Sequence, residues 1–486
     1  MTVELNRRAD LTLNNFRRVA FAGEGAQIGP VARAAMAAAR AAFIALLESD
    51  RTAFIYGVTR RPGIEVSVHV PPELQRAFAR SFLSHSGQGF GVGWHDEQVV
   101  RGIVFARLAD FLEGHAKVRP QTADRVAAML GAPMPALPLG GQAGPGEVLP
   151  MLHLVHALTD LDLEEGEGMA LVNGSPYSTA VLADAAIRAR NRLDHAELLF
   201  ALAVDAFRAP LEAYDEPLED LWSDPHQMAA LRSLRTHLAG AETADRLAHQ
   251  APVSFRILPR LLGETRRAVA EAERAASASL RSVTVNPVYL PPDPDHPMGR
   301  VASNGGFHNA TVCPVLQSLS ASWAELALTA ERQIAAFHRG AAYGLPHLLN
   351  PPGYEGALSG ATNLFGWVAT GYAETARAAA APALMPAVVV DTQNDLATAT
   401  SLAHQRERQA ADAFHSAQAI LALVASQALH ATEREPAPPL REFVAGIRSV
   451  FRPVDSPVGR DLGAEAGRLA QVFAAGSVSG RLEFTQ

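Results

Sequence analysis

The stretch that decides the reading of this chain is LGGQAGPGEVLPMLH, Leu139–His153. Glycines at 140, 141, 144 and 146 make a tight turn, and Glu147–His153 continues as a helix. Pro145 stands between Gly144 and Gly146. A proline there fixes one φ and removes one N–H donor. It either shapes the bend alone or also deletes chemistry that the bend would otherwise carry.

Working outward, the chain has 486 residues, 48% hydrophobic and 19% charged, enough to bury a large core. The net charge of −8 and the lack of a basic stripe argue against a nucleic-acid partner. A single cysteine, Cys313, leaves no intrachain disulfide and no thiolate metal cluster, so no metal is expected. The N-terminus has no apolar core of a secretory signal, and no eighteen-residue apolar run occurs. A cytoplasmic protein without a membrane span is the expectation.

Helical patterns are long: Val31–Glu48, Asp224–Leu238 behind an Asp-Pro start, Pro259–Arg281, Val315–His338 and Leu402–Thr432, starting near Thr400. Many are alanine-faced, which suits a bundle with closely spaced axes. Strand-type runs are short: Ala53–Tyr56, Glu65–Val70 and Ala387–Val390. The expected fold is mainly α, with small β pieces near the N-terminus.

Several residues could carry chemistry. Tyr56 closes an apolar run and precedes Gly57; it reads as a core tyrosine at a strand end or as a loop general base. The second role needs its pKa of about 10 lowered by cations or a helix end, and Arg60 and Arg61 are near in sequence. His85 sits before the glycine-rich Gly87–Gly93. That run follows a helical pattern rather than a strand, which argues against a dinucleotide loop. No HExxH, CxxC or GxSxG occurs. Asn173 closes the run Met169–Val172 at an Asn-Gly turn. Arg256 lies in an apolar stretch, where an arginine generally needs an anionic partner, from the protein or from a ligand.

Taken in order, these residues resemble the histidine and phenylalanine ammonia-lyase family, the aromatic amino acid lyases, along nearly the whole chain. Leu11–Ala20 is similar to the family's opening, and Tyr56-Gly57-Val58 to the start of its catalytic tyrosine loop. Leu74-Gln75 and Ser84-His85 match its next helix. Gly168–Ser175 matches Gly-Leu-Ala-Leu-x-Asn-Gly-Thr, and Gln250–Gly263 matches Gln-Asp-x-Tyr-Ser-x-Arg-x-x-Pro. Phe307-His308 and Glu325–Ile334 also have counterparts. Glu374 stands nineteen residues before Gln393-Asn394-Asp395, in place of a Gln-Glu-Asp motif. The resemblance implies an L-aspartase/ammonia-lyase-like fold: an active-site region over residues 1–200 and a long-helix bundle over 201–486. It further implies a homotetramer whose active sites draw on three subunits.

The resemblance also answers what Pro145 does. The family's turn reads Gly-Ala-Ser-Gly-Asp, and its Ala-Ser-Gly cyclises and loses water to form a methylidene-imidazolone electrophile. Here Gly144, Pro145 and Gly146 fall on those residues, and Glu147 on the aspartate. Proline has no hydroxyl to lose and its nitrogen is already substituted, so that prosthetic group is expected to be absent, leaving no cofactor. Val253 replaces a family tyrosine, Asn394 a glutamate, and Val285 an aspartate. The turn's backbone N–H groups at a helix start are a partial substitute for an electrophile, with Glu147 competing.

The rest of the family's site is retained. The resemblance makes Tyr56, His85 and Glu374 the catalytic residues, and Asn173, Gln250, Arg256 and Phe307 the substrate-binding ones, with Arg256 and Asn173 holding a carboxylate. The expected activity is that of a lyase or cyclase needing no prosthetic group, acting on a carboxylate-bearing small molecule. Two alternatives stay open: a non-catalytic binding relative, and an ammonia-lyase with another electrophile.

Overall fold

The amphipathic stripes form helices close to where the pattern places them. A computed structural model describes residues 2–84, 89–91, 93–142, 144–247, 249–351, 353, 362–383, 393–455 and 459–484. Its helices include Pro30–Ser49, Pro225–His237, Leu258–Leu280, Val312–His338 and Thr400–Ala431. Asp224 caps its helix by accepting from the N–H groups of His226 and Gln227, as the Asp-Pro start predicts. The fold is mainly α.

One long helix, Pro176–Ala206, gives no such stripe in the sequence. It is buried almost all round, so apolar residues occupy every face and the 3.6-residue periodicity is lost. The strand expectations fare differently. Ala53–Tyr56 and Glu65–Val70 form turns, 3₁₀ helix and isolated bridges, not strands; Ala387–Val390 lies outside the described residues. The strands are Thr2–Leu5 paired in parallel with Gly25–Ile28, and Val288–Leu290 antiparallel to Arg300–Ala302.

The chain forms two compact units, each woven from three stretches rather than divided at residue 200. One comprises Met1–Ala186, Ala272–Leu316 and Ala383–Gln405; the other Ile187–Glu271, Gln317–Pro382 and Arg406–Gln486. Four helices, Pro176–Ala206, Leu258–Leu280, Val312–His338 and Thr400–Ala431, contribute residues to both.

In the first unit, Phe43, Leu47, Ile55, Val58 and Tyr289 form a buried apolar cluster. Pro30–Ser49 is long and apolar enough, by length and composition, to cross a bilayer. Its stripe of Ala32, Met36, Arg40, Phe43 and Leu47 is buried in this unit, and the Arg40 guanidinium donates to the carbonyls of Lys117 and Glu165. The helix thus packs one face into this unit and leaves the opposite face exposed.

The second unit is tied by rings and charges between long helices. Phe207 stacks on Phe255 with centroids 4.3 Å apart. Arg192 lies over the Trp323 ring and pairs with Glu407, which also accepts from Trp323 Nε1 at 2.9 Å. Arg192 Nε donates to His415, whose pKa burial holds well below the ordinary imidazole value. A neutral ring is the state that can accept that bond.

Candidate active site

Tyr56 is placed by its neighbours. Ile55 and Val58 are buried anchors, so the residue between them in the turn is turned outward. The Ile55 carbonyl accepts N–H bonds from Val58, Thr59 and Arg60, and the Thr59 hydroxyl accepts from the Ile55 N–H at 2.8 Å. Gly57 has φ +69°, and a Cβ there would lie 2.6 Å from Met169 Cγ. Only glycine makes this turn without displacing Met169. The loop returns so that Gly63, itself at φ +63°, donates its N–H to the Tyr56 hydroxyl oxygen at 3.0 Å. A donor at that oxygen stabilises phenolate in preference to phenol.

The glycine turn comes to the same place. Gly144, Pro145 and Gly146 line a cavity of about 620 Å³ together with Tyr56, Asn173 and Phe307. Gly144 has φ +130° and Gly146 φ +65°, and the Phe307 ring packs against Gly146, 3.3 Å from where a Cβ would sit. Glu147 is also left-handed, φ +50°, so the regular helix starts at Val148 rather than at Glu147. This turns the Glu147 carboxylate inward. It accepts from the Ser178 N–H at 2.8 Å, from the Ser178 hydroxyl, and from Thr398 Oγ1 at 3.4 Å. Burial pushes its pKa up to about 7, against the lowering effect of those bonds. Glu147 therefore does not compete for an anion at the start of the helix, contrary to the sequence expectation.

Asn173 is held from behind. Its carbonyl accepts from Arg107, which is buried and paired with buried Asp110. Its Oδ1 accepts from the Asn286 N–H at 3.2 Å, leaving the Nδ2 donors for a ligand. Asn286 Oδ1 in turn accepts from Asn304 N at 2.9 Å and from Ser303, organising the loop that presents Phe307. Asn286, Ser303, Gln393 and Asn394 line the cavity, and the sequence reading left all four out of the site. The departures at Val285-Asn286 and Asn394 were the available signal. Tyr56 is the one ionisable side chain among the described lining residues.

The remaining expected site residues are not among those lining this cavity. Arg61 is engaged by Glu65 at 3.1 Å, and the Arg60 guanidinium lies 5.7 Å from the Phe54 ring centroid; neither lines the cavity. Gln250, Arg256 and Glu374 belong to the second unit, and each is exposed there. Phe255 is buried, and its carbonyl accepts from the Tyr214 hydroxyl at 2.7 Å, which turns the adjacent Arg256 outward. Arg256 Nε donates to the Ala251 carbonyl at 2.9 Å. Although its sequence neighbours are apolar, the Arg256 side chain is exposed and has no carboxylate partner among the described residues. Glu374 lies on the helix Phe365–Ala379, whose buried side is Ala369, Ala373 and Ala376. His85 lies outside the described residues.

The fold and cavity define a lyase-type helical protein with a loop tyrosine facing a glycine-rich turn. The aromatic amino acid lyase family model matches residues 11–160 and 155–449, and the chain belongs to that family. Among relatives, histidine ammonia-lyase of Deinococcus radiodurans is 29% identical over 377 residues, covering 71% of this chain and 70% of that protein. The Symbiobacterium thermophilum histidine ammonia-lyase is 27% identical and covers 92% of each. Two solved structures share the fold. Ergothionase of Treponema denticola, an ergothioneine-degrading enzyme solved with desmethyl-ergothioneine sulfonic acid, has a TM-score of 0.87 at 16% identity, covering 98% of this chain and 99% of that one. Tyrosine aminomutase of Streptomyces globisporus has a TM-score of 0.84 at 21% identity, covering 99% and 98%.

A methylidene-imidazolone would be expected at the turn from family membership. Its exocyclic carbon is the Cβ of a serine that loses its hydroxyl, at the position flanked by residues that here are Gly144 and Gly146. Pro145 supplies no hydroxyl and its nitrogen is tertiary, so the donor set does not fit the group.

Proposed function

We propose that the protein is a prosthetic-group-independent lyase or cyclase acting on a carboxylate-bearing, amino-acid-derived small molecule. The observation that carries this reading is the Tyr56 hydroxyl, held by Gly63 N–H in the cavity that Pro145 lines. Base machinery is retained where the means of making an electrophile is missing.

In an elimination, Tyr56 as phenolate takes a proton from the carbon β to the leaving group. The C–H pair becomes the C=C bond, and the leaving group departs with its own bonding pair. Acid–base catalysis of this kind supplies about 10²- to 10⁴-fold. An unmodified primary ammonium is too poor a leaving group for that contribution. A fully alkylated ammonium has no N–H to lose to the base, so it stays cationic throughout and leaves as a neutral tertiary amine without covalent activation. The fold neighbour that degrades ergothioneine, an amino-acid betaine, supports testing betaines first.

The Nδ2 donors of Asn173 fit one carboxylate oxygen. Arg256, with its terminal nitrogens outward, fits a carboxylate supplied to it across a subunit boundary, which accords with a homotetramer sharing its sites. Gly144 and Gly146 line the cavity, and in this reading their N–H groups serve as the donors for developing negative charge.

The test is a panel of amino-acid betaines and matched primary amino acids, read by the absorbance of the α,β-unsaturated acid and by amine release. Turnover of a betaine, abolished in Tyr56→Phe while binding persists, supports the proposal. Turnover of the primary amino acid alone, or an intact mass short by two waters, overturns it. Binding without turnover, unchanged in Tyr56→Phe, makes the protein a binding relative instead.

A further inference from the structure

Asn286 reaches the cavity from a segment that is stitched along the loop 110–117, which follows the helix Glu97–Ala109. The Asp110 carboxylate accepts from the N–H groups of Thr284, at 2.5 Å, and Val285, at 3.1 Å. Further on, the Tyr289 N–H donates to the His115 carbonyl at 2.9 Å. Between these ties stands Pro287, which has no N–H, so its carbonyl is the one backbone group by which it can be held. Lys117 holds it: Nζ donates to that carbonyl at 2.5 Å.

Two features of Lys117 weigh against a role in packing alone. It is 1% exposed, and its φ is +60°, a conformation that suits glycine. No ion pair engages its amine among the described residues. The charges facing it are the Arg40 guanidinium, paired with Glu164, and the Asp110 carboxylate, paired with Arg107. Burial, with Arg40 beside it, pushes its pKa down to about 7, and Asp110 opposes that shift. The Phe43 ring, its centroid 5.9 Å from Nζ, favours a cation there. A buried amine at a left-handed residue thus costs stability in two ways. What it supplies is one strong bond, and that bond is made to the segment carrying Asn286.

We infer that Lys117 is a positioning residue for the cavity wall, fixing the Pro287 carbonyl and through it the Asn286 backbone that orients the Asn173 amide. The Asn286 N–H donates to Asn173 Oδ1, which leaves the Asn173 Nδ2 donors for a ligand. Asn286 Oδ1 accepts from Asn304 N and the Ser303 hydroxyl, so the loop leading to Phe307 hangs on the same residue. Lys117 does not line the cavity and acts only through Asn286. Tyr56 is held from a different loop, by Gly63, so loss of the lysine weakens binding and leaves proton transfer intact. This assignment rests on the reading above, in which Asn173 binds a ligand carboxylate.

Two variants of the full-length protein test it. Lys117→Gly suits φ +60° and removes the amine; Lys117→Met keeps an apolar stem and removes only the donor. Amide hydrogen exchange needs no ligand. Exchange at Asn286 and Asn304 should be about tenfold faster in both variants, with the helices Pro30–Ser49 and Glu97–Ala109 unchanged. A role in packing alone would instead speed exchange throughout the first unit and lower the melting temperature. The kinetic probe is histidine betaine, one member of the panel above. KM should rise about tenfold while kcat stays within about threefold, and in an Asn173→Ala background Lys117→Gly should raise KM no further. The inference fails if exchange at Asn286 is unchanged in both variants, if it rises equally across the unit, or if kcat falls as much as KM rises. If the unaltered protein does not turn over histidine betaine, the function proposed above is at fault, and the exchange pattern alone decides for or against Lys117.

Discussion

The residues of the Tyr56 cavity and the exposed trio Gln250, Arg256 and Glu374 are both polar sets, but they are built in opposite ways. In the first set each group is bound from behind: Tyr56 by Gly63 N–H, Asn173 by Arg107 and Asn286, and Phe307's loop by Asn286 and Asn304. In the second, a buried neighbour holds the backbone while the side chain reaches solvent. Phe255 is buried beside Arg256, and Ala373 beside Glu374. The cavity is therefore preorganised within one chain. The trio, by contrast, is exposed.

Tyr56→Phe tests the preorganised side hardest. It removes the one ionisable group among the described residues lining the cavity, and turnover should fall by about 10²- to 10⁴-fold while ligand affinity stays within a few-fold. Separate measurement of kcat and Kd decides it; equal losses in both would make Tyr56 a binding residue.

Arg256→Ala tests the surface side. The loss of a charged donor to a carboxylate should raise KM about 10- to 100-fold. The melting temperature should not move, because the arginine is solvated and has no carboxylate partner among the described residues. A large fall in stability would show that Arg256 is structural.

A smaller effect comes from Glu147, buried under the turn. Its carboxyl ionises at about pH 7 in the folded protein, whereas an unfolded glutamate ionises near 4.3. Below the lower value both states are protonated and folding bears no penalty. As pH rises through this window the unfolded chain ionises first, so stability is lost until the folded group ionises too. Glu147→Gln carries no such loss. Its unfolding free energy relative to the parent should therefore rise between pH 5 and pH 8, by a difference on the order of 2 kcal/mol. A gap that is constant with pH would contradict the assigned burial effect.

Gly63→Ala should do least. An alanine at φ +63° is strained, and its Cβ would lie 3.3 Å from Asn394 Nδ2, so the N–H donor to Tyr56 shifts. We expect kcat about tenfold lower or less, for one hydrogen bond weakened, with Kd unchanged. No change in kcat would show that the bond does not assist the base.

Much of the fold was legible because most long helices expose one face and bury another. Pro176–Ala206 was not, because burial on all sides erases the pattern that marks a helix. The short apolar runs around Tyr56 looked like strands because strand and turn segments of four to six residues share composition. Only the bonds to the Ile55 carbonyl decide for a turn. At the site, Tyr56, Asn173, Phe307 and the 144–146 turn were readable from their order along the chain. Asn286, Ser303, Gln393 and Asn394 were not placed, since nothing local says that residues more than two hundred positions from Tyr56 border the same space.

What the sequence determined alone is covalent: a prolyl ring at 145 has no hydroxyl to eliminate, whatever surrounds it. What only the tertiary structure decided is environmental. Glu147 turns inward and holds its proton up to about pH 7, Arg256 is exposed, and the Ser175 hydroxyl is buried without a hydrogen-bond partner. Bond chemistry belongs to the residue itself, whereas desolvation and distance arise only once segments far apart in the chain are packed together.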